Sequence, residues 1–254
     1  MPGLIDTHAH LDEIEDLPAA IDIARSNGVE AIVAMGQDLK SNQRVLELAS
    51  EYEGFVYPAL GLHPWSLGSL DDAQLQENLD FISTNLGRAV ALGEVGLDYD
   101  KRVLKGASKA AQQDVLTSLL KIALAQGKPV SLHSRYAWKD CLQIVRGLEI
   151  KNVVFHWYTG FSSTLSELLA AGYLISATPA AEYHDEHRRA IREATAGQLM
   201  LETDCPVYYG RESRYRSSPS DVMRSLKAAS AIKDMGAEKL ARLTTDNARR
   251  FFGL

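Results

Sequence analysis

The stretch SKAAQQDVLTSLLKIALAQGKPVSLH, residues 108–133, decides how the fold is read. Val115, Leu119, Ile122 and Ala123 recur at helical spacing and predict a helix over residues 108–126. Gly127 and Pro129 stop it, since glycine accepts the left-handed turn at a helix end and proline has no N–H to continue. A short apolar strand, residues 129–133, follows and ends on a histidine. The same alternation runs through the chain, with strands predicted at 4–8, 29–35, 55–62, 89–94, 129–133, 152–156, 173–177 and 198–202. Residues 19–27 and 71–86 read as helices, and 237–250 as a closing helix. Eight strand–helix units in 254 residues are what a closed barrel requires. A doubly wound sheet usually has fewer strands and a glycine-rich phosphate loop after the first, and that loop is missing here. The expected fold is therefore α/β, a single (β/α)8 TIM barrel with a C-terminal closing helix, in one domain over residues 1–254.

Hydrophobic residues make up 46% of the chain and charged residues 24%, an ordinary globular balance. No apolar run is long enough to span a bilayer and no secretory pattern opens the chain, so a soluble, cytoplasmic protein is expected. Cys141 and Cys205 are the only cysteines and lie far apart, which argues against both a disulfide framework and a thiolate zinc finger. A net charge of −6 disfavours a broad polyanion-binding surface. Two local arginine sets remain, Arg188, Arg189 and Arg192, then Arg211, Arg214 and Arg216. They are either solvated or placed to guide a phosphate backbone, according to their distance from a site.

The chemistry collects at the strand ends. His8 and His10 share one face of the first strand, because residues two apart project together, and could converge on one ion. His63 follows the third strand, Glu94 closes the fourth, His133 the fifth and His156 the sixth, and Asp204 follows the eighth. In a barrel these ends share one rim, so five of the seven histidines gather there. Imidazoles suit zinc and other first-row metals, and a carboxylate midway around the rim can bridge two ions about 3.5–4 Å apart. Glu94 is the expected bridge, with His8, His10 and Asp204 on one divalent ion and His133 and His156 on the other. A water between such ions becomes a nucleophile near neutral pH, and Asp204 could take its proton.

Around this set, His63 either contacts a substrate phosphate or shapes the loop before Pro64, and Arg135 either contacts a phosphate or forms a structural ion pair. Trp65, Trp157 and Tyr158 could stack bases or pack their neighbours. Asp98 could orient a loop or a ligand histidine. His184 and His187, among charged residues, are expected on an exposed helix face.

The motifs IDTHAHLD, GLHPW, GEVGLDYD, KPVSLHSRYAWKD, VFHWYTG, LETDCP and TTDNARRFFGL, in this order, resemble the TatD-type metal-dependent hydrolases and deoxyribonucleases of the amidohydrolase superfamily. The resemblance spans the chain and implies a (β/α)8 barrel with two divalent ions (Mg, Mn or Zn) acting on phosphodiesters. It implies His8, His10, Glu94, His133, His156 and Asp204 as metal ligands, with His63 near the substrate phosphate; Glu94 and Asp204 are the residues expected in the catalytic step. Glu94 stands where many amidohydrolases carry a carboxylated lysine, which favours the TatD-like branch. The chain departs from the family after the seventh strand (Ser176 to Ala180) and after the aspartate (Arg211 to Pro219), segments that bear on substrate choice.

The leading expectation is thus a deoxyribonuclease cleaving single-stranded DNA, with Arg135, Arg211 and Arg214 as further substrate contacts and DNA or a nucleotide as its partner. No membrane association and no obligate protein partner are expected. An amidohydrolase acting on an amide, ester or lactone of a small substrate is the alternative. A barrel kept only as a scaffold fits poorly, because every ligand position still carries a coordinating side chain.

Overall fold

The computed structural model describes residues 3–254. Eight parallel strands, β1 (Leu4–Ala9), β2 (Val29–Met35), β3 (Val56–Leu60), β4 (Ala91–Gly96), β5 (Val130–His133), β6 (Val153–Phe155), β7 (Leu174–Ala177) and β8 (Leu199–Leu201), pair in sequence order. The ring closes between the last strand and the first. The Asp204 amide donates to the His8 carbonyl at 2.9 Å, the His10 amide to the Cys205 carbonyl at 2.8 Å, and Thr7 Oγ1 to the Leu201 carbonyl at 3.0 Å. Every strand falls where the alternation placed it, within two residues at either end.

The helices are α1 (Leu17–Ser26), α2 (Leu39–Glu51), α3 (Pro64–Leu67), α4 (Asp72–Asn85), α5 (Lys109–Ala125), α6 (Trp138–Gly147), α7 (Ser162–Ala170), α8 (Asp185–Glu193), α9 (Val222–Lys233) and α10 (Ala237–Phe252). Asp16, Asp38, Asp71 and Ser108 cap α1, α2, α4 and α5 by accepting a first-turn amide, each worth about 1 kcal/mol. Beyond β8, β9 (Tyr208–Tyr209) and β10 (Tyr215–Arg216) form a small antiparallel ribbon holding the Arg211 and Arg214 loop. Among the described residues no helix is long and apolar enough to cross a membrane.

Strand alternation fills two cores. Ala31, Val33 and Met35 of β2 enter the barrel with Ile5, Ala59, Ala91, Val154 and Met200, while Ile32 and Ala34 face the helix layer. Both faces are buried, which is why the strands read as nearly continuous apolar runs. Ala248 and Phe252 of α10 pack on the interior cluster, so the predicted closing helix plugs the barrel and extends two residues beyond Arg250. The polar strand ends are thereby confined to the opposite mouth.

Candidate metal centre

Side chains from the ends of six strands, β1, β3, β4, β5, β6 and β8, converge at that mouth, all of them buried except the half-buried His133. Asp6 accepts from the Thr203 amide at 2.9 Å and its hydroxyl at 2.6 Å, fixing the loop after β8 against β1. This carries Asp204 over the His8–His10 pair. Asp204 has φ 50°, a left-handed conformation that costs a non-glycine residue on the order of 1 kcal/mol and that the closing seam maintains. On β4, Gly61 lets the loop after β3 press against the Glu94 backbone, where a Cβ would collide.

Glu94 divides the cluster between its two oxygens. Oε2 lies 3.3 Å from His8 Nε2 and 3.4 Å from His10 Nε2, and the same nitrogens lie 3.5 and 3.2 Å from Asp204 Oδ1. Oε1 lies 2.9 Å from His133 Nδ1, 2.8 Å from His156 Nε2 and 3.4 Å from His63 Nε2. His8 and His156 stack at 4.1 Å between centroids.

The second nitrogen of each ring is held from outside. His133 Nε2 donates to Asp98 Oδ2 at 3.2 Å, and His156 Nδ1 to Glu202 Oε1 at 3.4 Å. His8 Nδ1 lies 3.3 Å from Ser131 Oγ, and His10 Nδ1 2.9 Å from Gln37 Nε2. The carboxylate partners turn His133 Nδ1 and His156 Nε2 toward Glu94 Oε1 and to within 3.3 Å of each other, where both nitrogens could be offered to one divalent cation. His63 differs. Its Nδ1 accepts from the Trp65 amide at 3.1 Å, so the neutral ring carries its proton on Nε2 and points a donor, not a lone pair, into the cluster.

Burial works against the charge on Glu94, yet His63, His156 and His8 hold its carboxyl well below the usual range. Asp204 is lowered likewise, with His10 and His8 outweighing burial. Conversely, burial is overcome at His10 by Asp204 and Glu94, at His133 by Asp98 and Glu94, and at His156 by Glu94 and Glu202, so all three imidazoles are raised. At His63 burial wins, and the ring is lowered to about 4. The site is built to hold positive charge around two carboxylates.

Among the described residues three sets of donor atoms could hold an ion: His8, His10 and Asp204; His63, Glu94 and His133; and His8, His156 and Glu202. The first is the expected triplet. His63 enters the second through its donor nitrogen, and Glu202 is already engaged by His156 and the Trp157 amide at 3.1 Å. The donor set, imidazoles with shared carboxylates, fits divalent first-row metals.

Residues expected nearby separate. Asp98 is buried and also accepts from the Trp65 indole at 2.6 Å. Arg135 pairs with Asp100 at 3.3 Å, the structural option. Arg211 donates to the Tyr183 carbonyl at 2.7 Å and Arg214 lies over the Tyr208 ring, and neither bonds to the histidine cluster. Arg188 and Arg189 are tied to the Ala181 and Gly160 carbonyls, and Arg216 to Glu15. Tyr158 is fully buried, so its ring offers no stacking face, and Trp157 packs half-buried against Tyr209. Glu202, Ser131 and Gln37 were missed. Ser131 and Glu202 each sit two residues before a site residue, His133 and Asp204, and that spacing was the available signal.

The expected exposed position of His187 is corrected: the ring is fully buried, accepting from the Thr178 amide at 3.1 Å and lying 3.0 Å from the Tyr158 carbonyl. His184 is the more accessible member of the pair, half-buried, and caps α8. Burial lowers His187 to about 4, so it folds neutral. An unfolded histidine takes its proton near pH 6.5, so this contribution is complete above that pH and drains as pH falls toward 4, by up to about 3 kcal/mol. Urea unfolding should therefore show the cost of His187→Gln shrinking between neutral pH and pH ~4.5; a cost independent of pH would contradict it. For Asp98, substitution by Asn should weaken metal binding about 10- to 100-fold by calorimetry, since the tautomer of His133 is no longer enforced. Unchanged affinity would remove Asp98 from that role.

Residues 5–253 match the family model described as TatD related DNase. The human protein named deoxyribonuclease TATDN3 is 29% identical over 98% of this chain and 94% of its own length. The metal-dependent hydrolase YabD of Bacillus subtilis is 31% identical, covering 98% of each chain. The crystal structure of the TatD homolog YjjV from Escherichia coli superposes with a TM-score of 0.89 at 27% identity, over 99% of this chain and 98% of that one. A match of this extent, over a barrel whose mouth gathers these imidazoles around one carboxylate, makes the chain a member of the TatD-related DNase family of metal-dependent hydrolases.

Proposed function

We propose that this chain hydrolyses phosphodiester bonds of single-stranded DNA with two divalent ions, the first held by His8, His10, Asp204 and Glu94 and the second by His133, His156 and Glu94. The observation that carries the reading is the division of Glu94, with Oε2 turned to His8 and His10 and Oε1 to His133 and His156. Mg, Mn or Zn bound there would supply Lewis acidity toward a phosphate and lower the pKa of water. The names of the human and bacterial relatives support a phosphodiester as the bond and a metal as the requirement.

The chain's own groups divide the remaining work. Asp204 Oδ1 faces His8 and His10, and the carboxylate, with 11% of its side chain exposed, reaches the open side of the cluster to take a proton from the attacking water. His63 offers its Nε2–H to a non-bridging phosphate oxygen, the role its Trp65 contact prepares. Asp98, Glu202 and Ser131 keep three of the rings turned with the correct nitrogen inward.

The test is incubation of single-stranded oligonucleotides with purified protein and Mg, Mn or Zn. Nucleotides should be released, and Asp204→Asn should lower turnover at least about a hundredfold. No release with any of the three metals would overturn the nuclease reading, and turnover of an amide, ester or lactone panel instead would install the small-substrate alternative.

A further inference from the structure

Six large hydrophobic side chains are exposed among the described residues, and they sort by position. The aliphatic pair, Ile23 and Leu124, lies on α1 and α5. The four aromatics, Trp65, Tyr136, Phe161 and Tyr208, all follow strand C-termini, after β3, β5, β6 and β8, on the mouth that carries the metal centre. Exposed aromatic rings confined to one face mark a binding surface rather than scattered surface apolarity.

Two of them are joined into a platform. Tyr136 and Phe161 are 56% and 68% exposed, and the half-buried Trp138 lies between them, with centroids 6.0 and 5.6 Å away at 72° and 79°. Gly160 fixes the floor, because a Cβ there would fall 2.6 Å from Trp138 Cγ. Tyr136 holds φ 56°, a left-handed conformation unfavourable for a bulky residue. Arg135 places its guanidinium 5.4 Å from the Tyr136 ring centre. Tyr136 is three residues past His133, which caps their separation at about 11 Å.

Resting on the phosphodiester reading above, we propose that Tyr136, Trp138 and Phe161 form an accessory subsite on which unpaired bases of a nucleic-acid strand stack, beside the cleaved bond. Near-perpendicular rings present separate faces rather than one flat apolar sheet, so bases splayed apart along an unpaired strand can each meet a face of their own. The Arg135 guanidinium borders the platform at its Tyr136 end while paired with Asp100, so the rings rather than a free charge carry the recognition. Paired bases have no free faces, so the subsite selects single strands over duplex.

The test compares binding of two labelled phosphorothioate oligonucleotides, one intact and one with abasic sugars throughout, by fluorescence anisotropy with metal present. Tyr136→Asn keeps a side chain that tolerates the left-handed backbone, and Phe161→Ser places a better cap at the start of α7. Both variants should therefore fold, as thermal melting would verify. The double variant should bind the intact strand at least about tenfold more weakly and the abasic strand unchanged. Equal losses for both strands, or none for either, would overturn the subsite. Hydrolysis of bis(4-nitrophenyl) phosphate by the same preparations distinguishes the failures. Cleavage without base dependence discards the subsite alone, and no cleavage of any phosphodiester discards the reading beneath it as well.

Discussion

Glu94→Gln should lower metal-dependent turnover by about a thousandfold or more while the barrel remains folded. Each Glu94 oxygen faces its own imidazole set, so under the dinuclear proposal the change weakens both ion sites together. Loss of one outer partner of a ligand commonly costs 10- to 100-fold, and a shared carboxylate combines two such losses. Glutamine keeps the volume and one acceptor, so the strand and its packing are undisturbed. The check is single-turnover cleavage, with near-ultraviolet circular dichroism to verify the fold. Turnover within tenfold of the parent would mean that Glu94 is a structural counter-ion, and the dinuclear reading would fall with it.

Chelation is the second large effect. The carboxylates around them raise His10, His133 and His156 from the usual imidazole value, which favours their protonated forms when no ion is bound. A metal needs their lone pairs, so binding must expel those protons and affinity must rise with pH through the neutral range. Titrating Mn or Zn into chelated protein in buffers of different ionisation enthalpy should show more than ~1 proton released per chain. At metal ~1,000-fold over Kd the gain is about 4 kcal/mol, or roughly 10 °C in Tm for a chain of this size. A titration enthalpy independent of buffer, with no change in melting, would mean that these imidazoles hold no metal.

The barrel was legible because its signals are local and repeated. Gly127 and Pro129 punctuate α5 and β5, and the strand parity that buries Ala31, Val33 and Met35 puts His8, His133 and His156 at one mouth. Which ring nitrogen faces inward was not legible, because it depends on Asp98, Glu202 and Ser131 approaching from other strands. His187 was misread for a different reason. Asp185, Glu186, Arg188 and Arg189 make α8 look solvated, yet His187 shares a helical stripe with Ala190, Ile191 and Ala194, all buried. The flanking charges obscured that stripe. The arginine loop between β9 and β10 follows composition alone, and composition places no side chain in space.

The closing seam has a consequence for the order in which the molecule matures. His8 and Asp204, joined through the His8 carbonyl, belong to opposite ends of the chain, 196 residues apart. During synthesis from the N-terminus the histidine pair emerges first and waits through all eight strands for its carboxylate, so the donor set is incomplete until the segment after β8 has been made. A prematurely terminated chain lacking β8 would carry the motif that opens the sequence and remain without hydrolytic capacity, which ties the appearance of activity to synthesis of the last barrel strand and the loop behind it.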